Sequence, residues 1–284
     1  MEQPENLKLL RSIAVALPLS PDPVEALAAG FRVPKSAMVD RLKGLMADGI
    51  VLGVWGEPNP ALQGGDSTIG APGATGRVRW SGRLEGGEAI EAVVNMAAGT
   101  NNANFLKAGT PPIIEQGVEA LLGADQDRTC LVEMFPTPWE PLNDVEERLV
   151  RALVRPLAFD PAEGLWEQVG AAAKAGAGES VMQIRRLVIR RYWRRIAMKV
   201  NLGRAGWNGC GLARWTMDPM TAREAGAALA ALRCTGDVLV LPESKGNLVA
   251  LFMAMQADEG RRAAEAVSRQ WGIAMERWES VMLE

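Results

Sequence analysis

One stretch of this chain occurs twice, and the distance between the copies limits it to a fold built from two similar parts. Pro18-Leu19-Ser20-Pro21-Asp22-Pro23 returns as Pro156-Leu157-Ala158-Phe159-Asp160-Pro161, 138 residues later. At the same spacing Glu25 and Leu27 meet Glu163 and Leu165, and Trp55 meets Trp193. Arg79-Trp80 meets Arg214-Trp215 at a spacing of 135, and Thr100 and Leu106 then meet Thr235 and Leu241. So long a period indicates duplication of a whole domain, since solenoids repeat every 20–50 residues or so. The length of 284 residues also predicts about two domains.

The local pattern repeats with it. Residues 5–17 carry apolar side chains at helical spacing, and Pro18 ends that helix. Asp22-Pro23 reads as an N-cap with proline at the first helical position, opening 24–30. A third helix over 36–47 presents Met38, Leu42, Leu45 and Met46 on one face, Gly49 ends it, and Ile50–Trp55 reads as a strand. Three short helices and a strand make a winged-helix outline. The second copy predicts helices over 143–154, 162–174 (capped by Asp160-Pro161) and 178–187, then a strand from Val188 toward Val200.

Each outline is followed by a different pattern. In the second copy, strand 209–215, helix 221–233, strands 238–241 and 248–255 about the turn 243–247, and helix 258–270 leading into 272–283 suggest a small ferredoxin-like α+β sandwich. The first copy gives a strand at 77–84, a helix at 87–98 and an irregular stretch through Pro111 in which the counterpart of its third strand is hard to place. Gly64–Gly76 reads as a mobile Gly/Ser/Thr/Pro loop, and Pro136–Pro141 as the linker between halves. The predicted organisation is α+β, a tandem duplication. Residues 1–138 hold a winged helix (5–58) and an α+β part (76–135). Residues 139–284 hold a second winged helix (143–200) and α+β part (205–284).

Composition removes several classes of function. There is no histidine, which excludes the usual near-neutral acid–base group, the commonest metal ligand and any Ser-His-Asp or Cys-His arrangement. Cys130, Cys210 and Cys234 are too few and too far apart for a disulfide framework or a metal pair, and read as small buried residues. No run of eighteen apolar residues spans a membrane, and the N-terminus does not read as a signal peptide, so cytoplasm is the expected compartment. Nine tryptophans against one tyrosine point to large flat surfaces for packing or stacking.

The densest chemical feature is Arg185-Arg186, Arg190-Arg191 and Arg194-Arg195, with Lys199, Arg204 and Arg214 beyond. Guanidinium pairs bidentately with carboxylates, stays charged and stacks on flat faces. If this stretch is a strand, Arg191, Trp193 and Arg195 share one side and Arg190, Tyr192 and Arg194 the other. Such a row serves equally as a solvated basic face. Trp193, Trp207 and Trp215 can wall a slot for a ring system or simply pack, and Asn201, Asn208 and Asn247 can bind a carboxylate or hold a turn.

Order and motif together resemble a known family. Winged helix then ferredoxin-like domain is the layout of the Lrp/AsnC group. Val188-Ile189-Arg190-Arg191-Tyr192, Asn201, Gly206-Trp207-Asn208-Gly209, Trp215-Thr216-Met217-Asp218-Pro219 and Asn247-Leu248 are similar to the siroheme decarboxylases of the alternative haem and haem d1 pathways. In the first copy Gly49-Ile50-Val51, Asn59 and Gly64-Gly65 resemble the same pattern without the paired arginines. The resemblance covers about residues 5–270. It implies a polycarboxylated tetrapyrrole as substrate or ligand, no metal or cofactor of the protein's own, and loss of carboxyl groups from acetate side chains.

The resemblance implies a binding set of Arg190, Arg191, Trp193, Arg194, Arg195, Asn201, Arg204, Trp207, Asn208, Arg214, Trp215 and Asn247. The family's histidine positions correspond to Leu202 and to the stretch Val238–Pro242, where none stands. Arg191, Tyr192 and Lys199, with Glu243 and Lys245, are the remaining candidates for proton transfer. The implied roles are a lyase with altered acid–base groups, a carrier, or a non-catalytic subunit, as a homo-oligomer or beside a related decarboxylase subunit. A DNA-binding regulator is the rival reading, through third helices carrying Lys35, Arg41 and Lys43, or Gln183, Arg185 and Arg186. Asp40, Asp48 and the net charge of −3 argue against it. Gly64-Gly65, Gly176-Ala177-Gly178 and Gly206…Gly211 have the wrong surroundings for a phosphate loop.

Overall fold

A computed structural model describes residues 4–58, 67–70, 77–84, 89–94, 104–107, 117–123, 141–190, 192–241 and 247–283. The chain divides into two compact units, and each takes a segment from both halves of the sequence. The first unit comprises residues 1–62 and 136–204, the second 63–135 and 205–284.

In the first unit, three helices and a strand occur twice. α1 (Pro4–Val15), α2 (Pro23–Phe31), α3 (Lys35–Ala47) and β1 (Val51–Pro58) form the first set. The second set is α5 (Asp144–Leu153), α6 (Leu165–Ala173), α7 (Ala177–Ile189) and β6 (Trp193–Val200); a one-turn helix α4 (Val118–Leu121) lies between them in sequence. Asp22 caps α2 by accepting from the Glu25 N–H at 3.0 Å, with Pro23 at the first helical position as expected; such a cap contributes about 1 kcal/mol. Lys35 also pairs with Asp22. Burial works against the Asp22 charge, but Lys35 and the α2 amides hold its carboxyl below the ordinary range. α5 opens with a capping box between Asn143 and Glu146.

Two expectations fail here. Asp160 does not cap a helix at 162. Its Oδ1 accepts from Ala162 N–H at 2.9 Å and α6 starts only at Leu165, after an uncapped Gly164. The Gln168 amide brackets Asp160 instead, accepting from its N–H at 2.8 Å and donating to its carbonyl at 2.9 Å. The loop between α5 and α6 (154–164) is thus four residues longer than its counterpart (16–22). Equivalent positions beyond it lie 142 apart, not 138: Pro23 matches Leu165, Lys35 matches Ala177, and Val51 matches Trp193. The left-handed C-cap residues Arg32 (φ 55°) and Lys174 (φ 53°) keep the same spacing. Trp55 and Trp193 are therefore not equivalent.

The second failure is the strand expected from Val188. α7 runs to Ile189 because Ser180, Ile184 and Leu187 are buried at helical spacing, and strand geometry begins only at Trp193.

The second unit is built on an eight-stranded sheet of order β2-β4-β3-β10-β7-β9-β8-β5, antiparallel wherever strands pair. Its strands are β2 (Ser67–Gly70), β3 (Arg77–Leu84), β4 (Ala89–Val94), β5 (Asn104–Lys107), β7 (Gly211–Trp215), β8 (Thr235–Val240), β9 (Leu248–Phe252) and β10 (Arg277–Leu283). The helix α8 (Pro219–Ala230) follows β7, and α9 (Glu259–Trp271) follows β9. The four strands from the second half occupy the centre in the order fourth, first, third, second. Strands from the first half extend both sides.

Residues 89–94, expected within a helix, are strand β4, since Ile90, Val93 and Val94 suit a strand and β2 and β3 pair with it on both sides. The Gly64–Gly76 stretch, expected as a loop, contains β2. A short strand, β5, lies within the stretch read as irregular, and residues 277–283 add β10.

Packed on the sheet, α8 and α9 bury Ala222, Ala225, Leu229, Ala263, Ala264 and Val267 against Trp215, Val238, Leu248 and Phe252. Asp218 caps α8 through the Met220 and Thr221 N–H groups, with Pro219 at the first position. The Thr221 hydroxyl and these amides hold its carboxyl below the usual range. Cys210 and Cys234 are buried as expected, and burial pushes the Cys210 thiol up to about 12. Both should resist a thiol reagent in the native protein and react together only on unfolding, counted by titration with and without denaturant. Cys130 lies outside the described residues. No described helix is long and apolar enough to cross a membrane.

Candidate functional site

β1 and β6 form a two-stranded antiparallel ribbon in the first unit. Directly opposed residues share a face. Val54 and Gly56 stand opposite Met198 and Ile196; Val54, Met198 and Ile196 are all buried. The other face carries Gly53, Trp55 and Glu57 opposite Lys199, Ala197 and Arg195.

At the end of the ribbon the register jumps from Glu57–Arg195 to Pro58–Trp193, so Arg194 is an extra residue, a β-bulge. The bulge reassigns the side chains. Trp193 falls on the Gly56 side, where a Cβ at Gly56 would come within 2.4 Å of its ring, and it is fully buried. Trp193 and Arg195 therefore do not share a side, contrary to the strand expectation. Arg194 and Arg195, although adjacent, both reach Glu57. Arg194 Nη1 is 3.6 Å from Glu57 Oε1, and Arg195 Nε donates to Oε2. The Glu57 side chain is 3% exposed and the two arginines 12% and 13%. Along the same face, Lys199 Nζ stands 5.0 Å from the centre of the Trp55 ring, a cation–π contact.

The arginines at the end of α7 have a different carboxylate. Arg190 is the C-cap of α7, and its Nη1 donates to Glu146 Oε1 and Oε2 at 3.0 and 2.9 Å while Nη2 reaches the Pro141 carbonyl at 3.3 Å. Arg186 approaches the same fully buried carboxylate at 3.7 Å. Arg185 donates to the Leu19 carbonyl at 2.5 Å, and Trp166 Nε1 to that of Ser20 at 2.6 Å. Tyr192, in the bend before β6, is half-buried, and its N–H donates to the Leu187 carbonyl at 2.9 Å. Arg191, Glu243, Lys245 and Asn59 lie outside the described residues.

The remaining expected binding residues lie as follows. Asn201 Oδ1 accepts from the Arg204 N–H at 2.9 Å, and Arg204 Nη1 donates to the Asp48 carbonyl at 3.0 Å. Trp207, Asn208, Arg214, Trp215 and Asn247 belong to the second unit. Trp207 is buried, whereas Asn208 is exposed with its N–H donating to the Met255 carbonyl at 3.2 Å. Arg214 on β7 lies 3.4 Å from Glu279 on β10. Asn247 is buried, and its amide accepts from the Met217 N–H at 3.1 Å and donates to the Met217 carbonyl at 2.7 Å. Trp215 donates to the Ser268 hydroxyl at 2.9 Å beside an apolar cavity shared with Met217, Leu229 and Trp271. That cavity holds only about 10 Å³, far short of the 300–1,000 Å³ or so of small-molecule pockets.

Arg194, Arg195 and Lys199 are thus the expected residues that the ribbon brings together, and they are joined by Trp55 and Glu57, which the sequence did not single out for binding. Glu57 stands two residues beyond the strand expected at 50–55, and only the longer β1 brings it onto the ribbon. On α3, Lys35, Arg41 and Lys43 pair with Asp22, Glu5 and Asp160, so each of these cations already meets an acid. Among the described residues no group of three or more acids and thiols is arranged to hold a metal ion.

No protein-family model matches the sequence, and no curated protein matches it. Two solved structures are similar over almost the full length. The crystal structure of the siroheme decarboxylase NirDL gives a TM-score of 0.55 at 16% identity, covering 98% of this chain and 89% of that one. The same protein in co-complex with an iron-uroporphyrin III analogue gives 0.55 at 17% identity, covering 99% and 90%. At this identity the likeness establishes a shared mixed α+β fold with antiparallel sheets.

Proposed function

We propose that this chain binds a polycarboxylated tetrapyrrole of the siroheme type, on a duplicated winged-helix and ferredoxin-like scaffold of Lrp/AsnC kind. The observation that carries the reading is the fold likeness to a siroheme decarboxylase over 98% of the chain. Two features support the scaffold. The sheet order fourth, first, third, second in the second half is that of a ferredoxin-like sandwich. Three helices and a strand recur at a spacing of 142 from α2 onward. The face bearing Arg194, Arg195, Lys199 and Trp55 supplies what such a ligand needs, cations for carboxylates and an aromatic surface for the macrocycle.

The macrocycle is ligand or substrate, and the reading assigns the protein no cofactor of its own. Decarboxylation of an acetate side chain breaks the bond to the carboxyl carbon and leaves an electron pair that must be protonated. With no histidine in the chain, Lys199, Tyr192 and Arg191 are the groups left to donate. The same absence favours a second reading, a carrier or a non-catalytic subunit beside a related decarboxylase in alternative haem or haem d1 synthesis.

Anaerobic incubation with siroheme, followed by absorbance and by mass analysis of the extracted pigment, tests both. A saturable shift of the pigment bands is expected. Loss of carbon dioxide from the pigment assigns a lyase and an unchanged mass assigns the carrier, whereas no shift at any concentration overturns the proposal.

A further inference from the structure

The guanidinium pair on the bulge already holds a carboxylate, and that carboxylate is the chain's own. Glu57 is 2% exposed, faces Arg194 and Arg195 with one oxygen each, and stands on the ribbon face that also carries Trp55 and Lys199. An acid so placed offers the two arginines what an acetate or propionate side chain of a macrocycle would offer. At the position of the first strand set that matches Lys199, 142 residues earlier, stands this same Glu57. The two strands of the ribbon therefore differ in charge at equivalent sites.

We infer that Glu57 is an internal competitor, an autoinhibitory carboxylate that occupies Arg194 and Arg195 until a carboxylate of the ligand replaces it. The inference rests on the tetrapyrrole reading above and adds to it how the site is regulated. The exchange is chemically even, one carboxylate for another on the same two guanidinia. The arginines keep a charged partner throughout, and the ligand has only to offset the displacement of a side chain anchored at one point. The bulge is what allows it, because it presents two consecutive side chains to one acceptor, which a regular strand would send to opposite faces.

The test is a titration of wild type and Glu57→Gln with iron uroporphyrin III, followed by absorbance. Glutamine keeps the shape and removes the negative charge, so the variant should bind at least about tenfold tighter than wild type. Equal or weaker binding by a folded variant would overturn the competition and make Glu57 a ribbon staple. Because removing a buried charge partner can unfold a protein, a second readout uses wild type alone. The ¹⁵N-labelled Arg195 Nε–H signal should move on saturation with the porphyrin, and a signal that stays in place while the ligand saturates overturns the inference. If neither wild type nor variant binds the porphyrin, the tetrapyrrole reading itself fails.

Discussion

Glu146→Ala should destabilise the protein by about 3–5 kcal/mol, read as a lowered denaturant midpoint of the first unit. Glu146 is fully buried and serves two structures at once. Its Oε2 accepts from the Asn143 N–H at 2.9 Å, closing the capping box of α5, and both its oxygens take the Arg190 guanidinium at the end of α7. Alanine removes the reciprocal half of the capping box, leaving only the Asn143 side chain on the residue-146 N–H, and takes the carboxylate away from an arginine that is 19% exposed. Arg151→Ala is the control: its pair with Glu147 spans one turn of α5 with side chains 79% and 50% exposed. Exposed pairs contribute about 0–1 kcal/mol, so this midpoint should hardly move. Equal effects of the two changes would show that burial of Glu146 is not what matters.

Gly53→Ala is expected to cost about 2–5 kcal/mol, from backbone strain together with a clash. Gly53 has φ +139°, a region that residues with a Cβ rarely adopt. An added Cβ would lie 2.4 Å from the Leu157 carbonyl oxygen and 2.6 Å from its carbon. Those atoms cannot rotate aside, because the Leu157 oxygen accepts from the Val54 N–H at 2.9 Å and the Leu157 N–H donates back to Val54 at 2.8 Å. Gly44→Ala provides the contrast: it sits inside α3, where a Cβ would meet nothing within 4 Å. That change should raise stability by roughly 0.5–1 kcal/mol through the unfolded chain. Thermal or urea unfolding of the two variants should shift in opposite directions.

Helices were legible in the sequence where a cap and a buried stripe agreed, as in α2 with Asp22-Pro23; the Asp218-Pro219 cap went unread, so the helix expected from residue 221 begins at Pro219. The same Asp-Pro pair misled at residues 160–161, since the identical dipeptide makes a turn stapled by Gln168 rather than a cap. Local motif cannot tell these apart, because the choice lies with a side chain eight residues on. β4 was missed for a related reason: a short apolar run is strand or helix according to what pairs with it, and both its partners are known only from the fold.

The arginine cluster was visible as a cluster, but its division was not. The end of α7 separates Arg186 and Arg190 from Arg194 and Arg195, and the two carboxylates that hold them lie far away in sequence. Glu146 is 44 residues from Arg190, and Glu57 is 138 from Arg195. Of the twelve expected binding residues, those of the second unit sit mainly in the core and at turns. Large aromatics and asparagines beside strand ends satisfy packing and backbone there.

The interleaving of the two units has a consequence for the newborn chain. Among the described residues β1 finds its ribbon partner in β6, a strand made about 140 residues later. At a synthesis rate of about 5–20 residues per second, that interval is roughly 7–28 s. Throughout it the first three helices and the Trp55 strand have left the ribosome with their ribbon edge uncovered, while the polypeptide of the other unit emerges in between. The central sheet waits longer still, because β10, which joins β2, β4 and β3 to the second-half strands, is made after every other strand of that sheet. A ribosome stalled anywhere before residue 193 would release a chain in which neither unit can close.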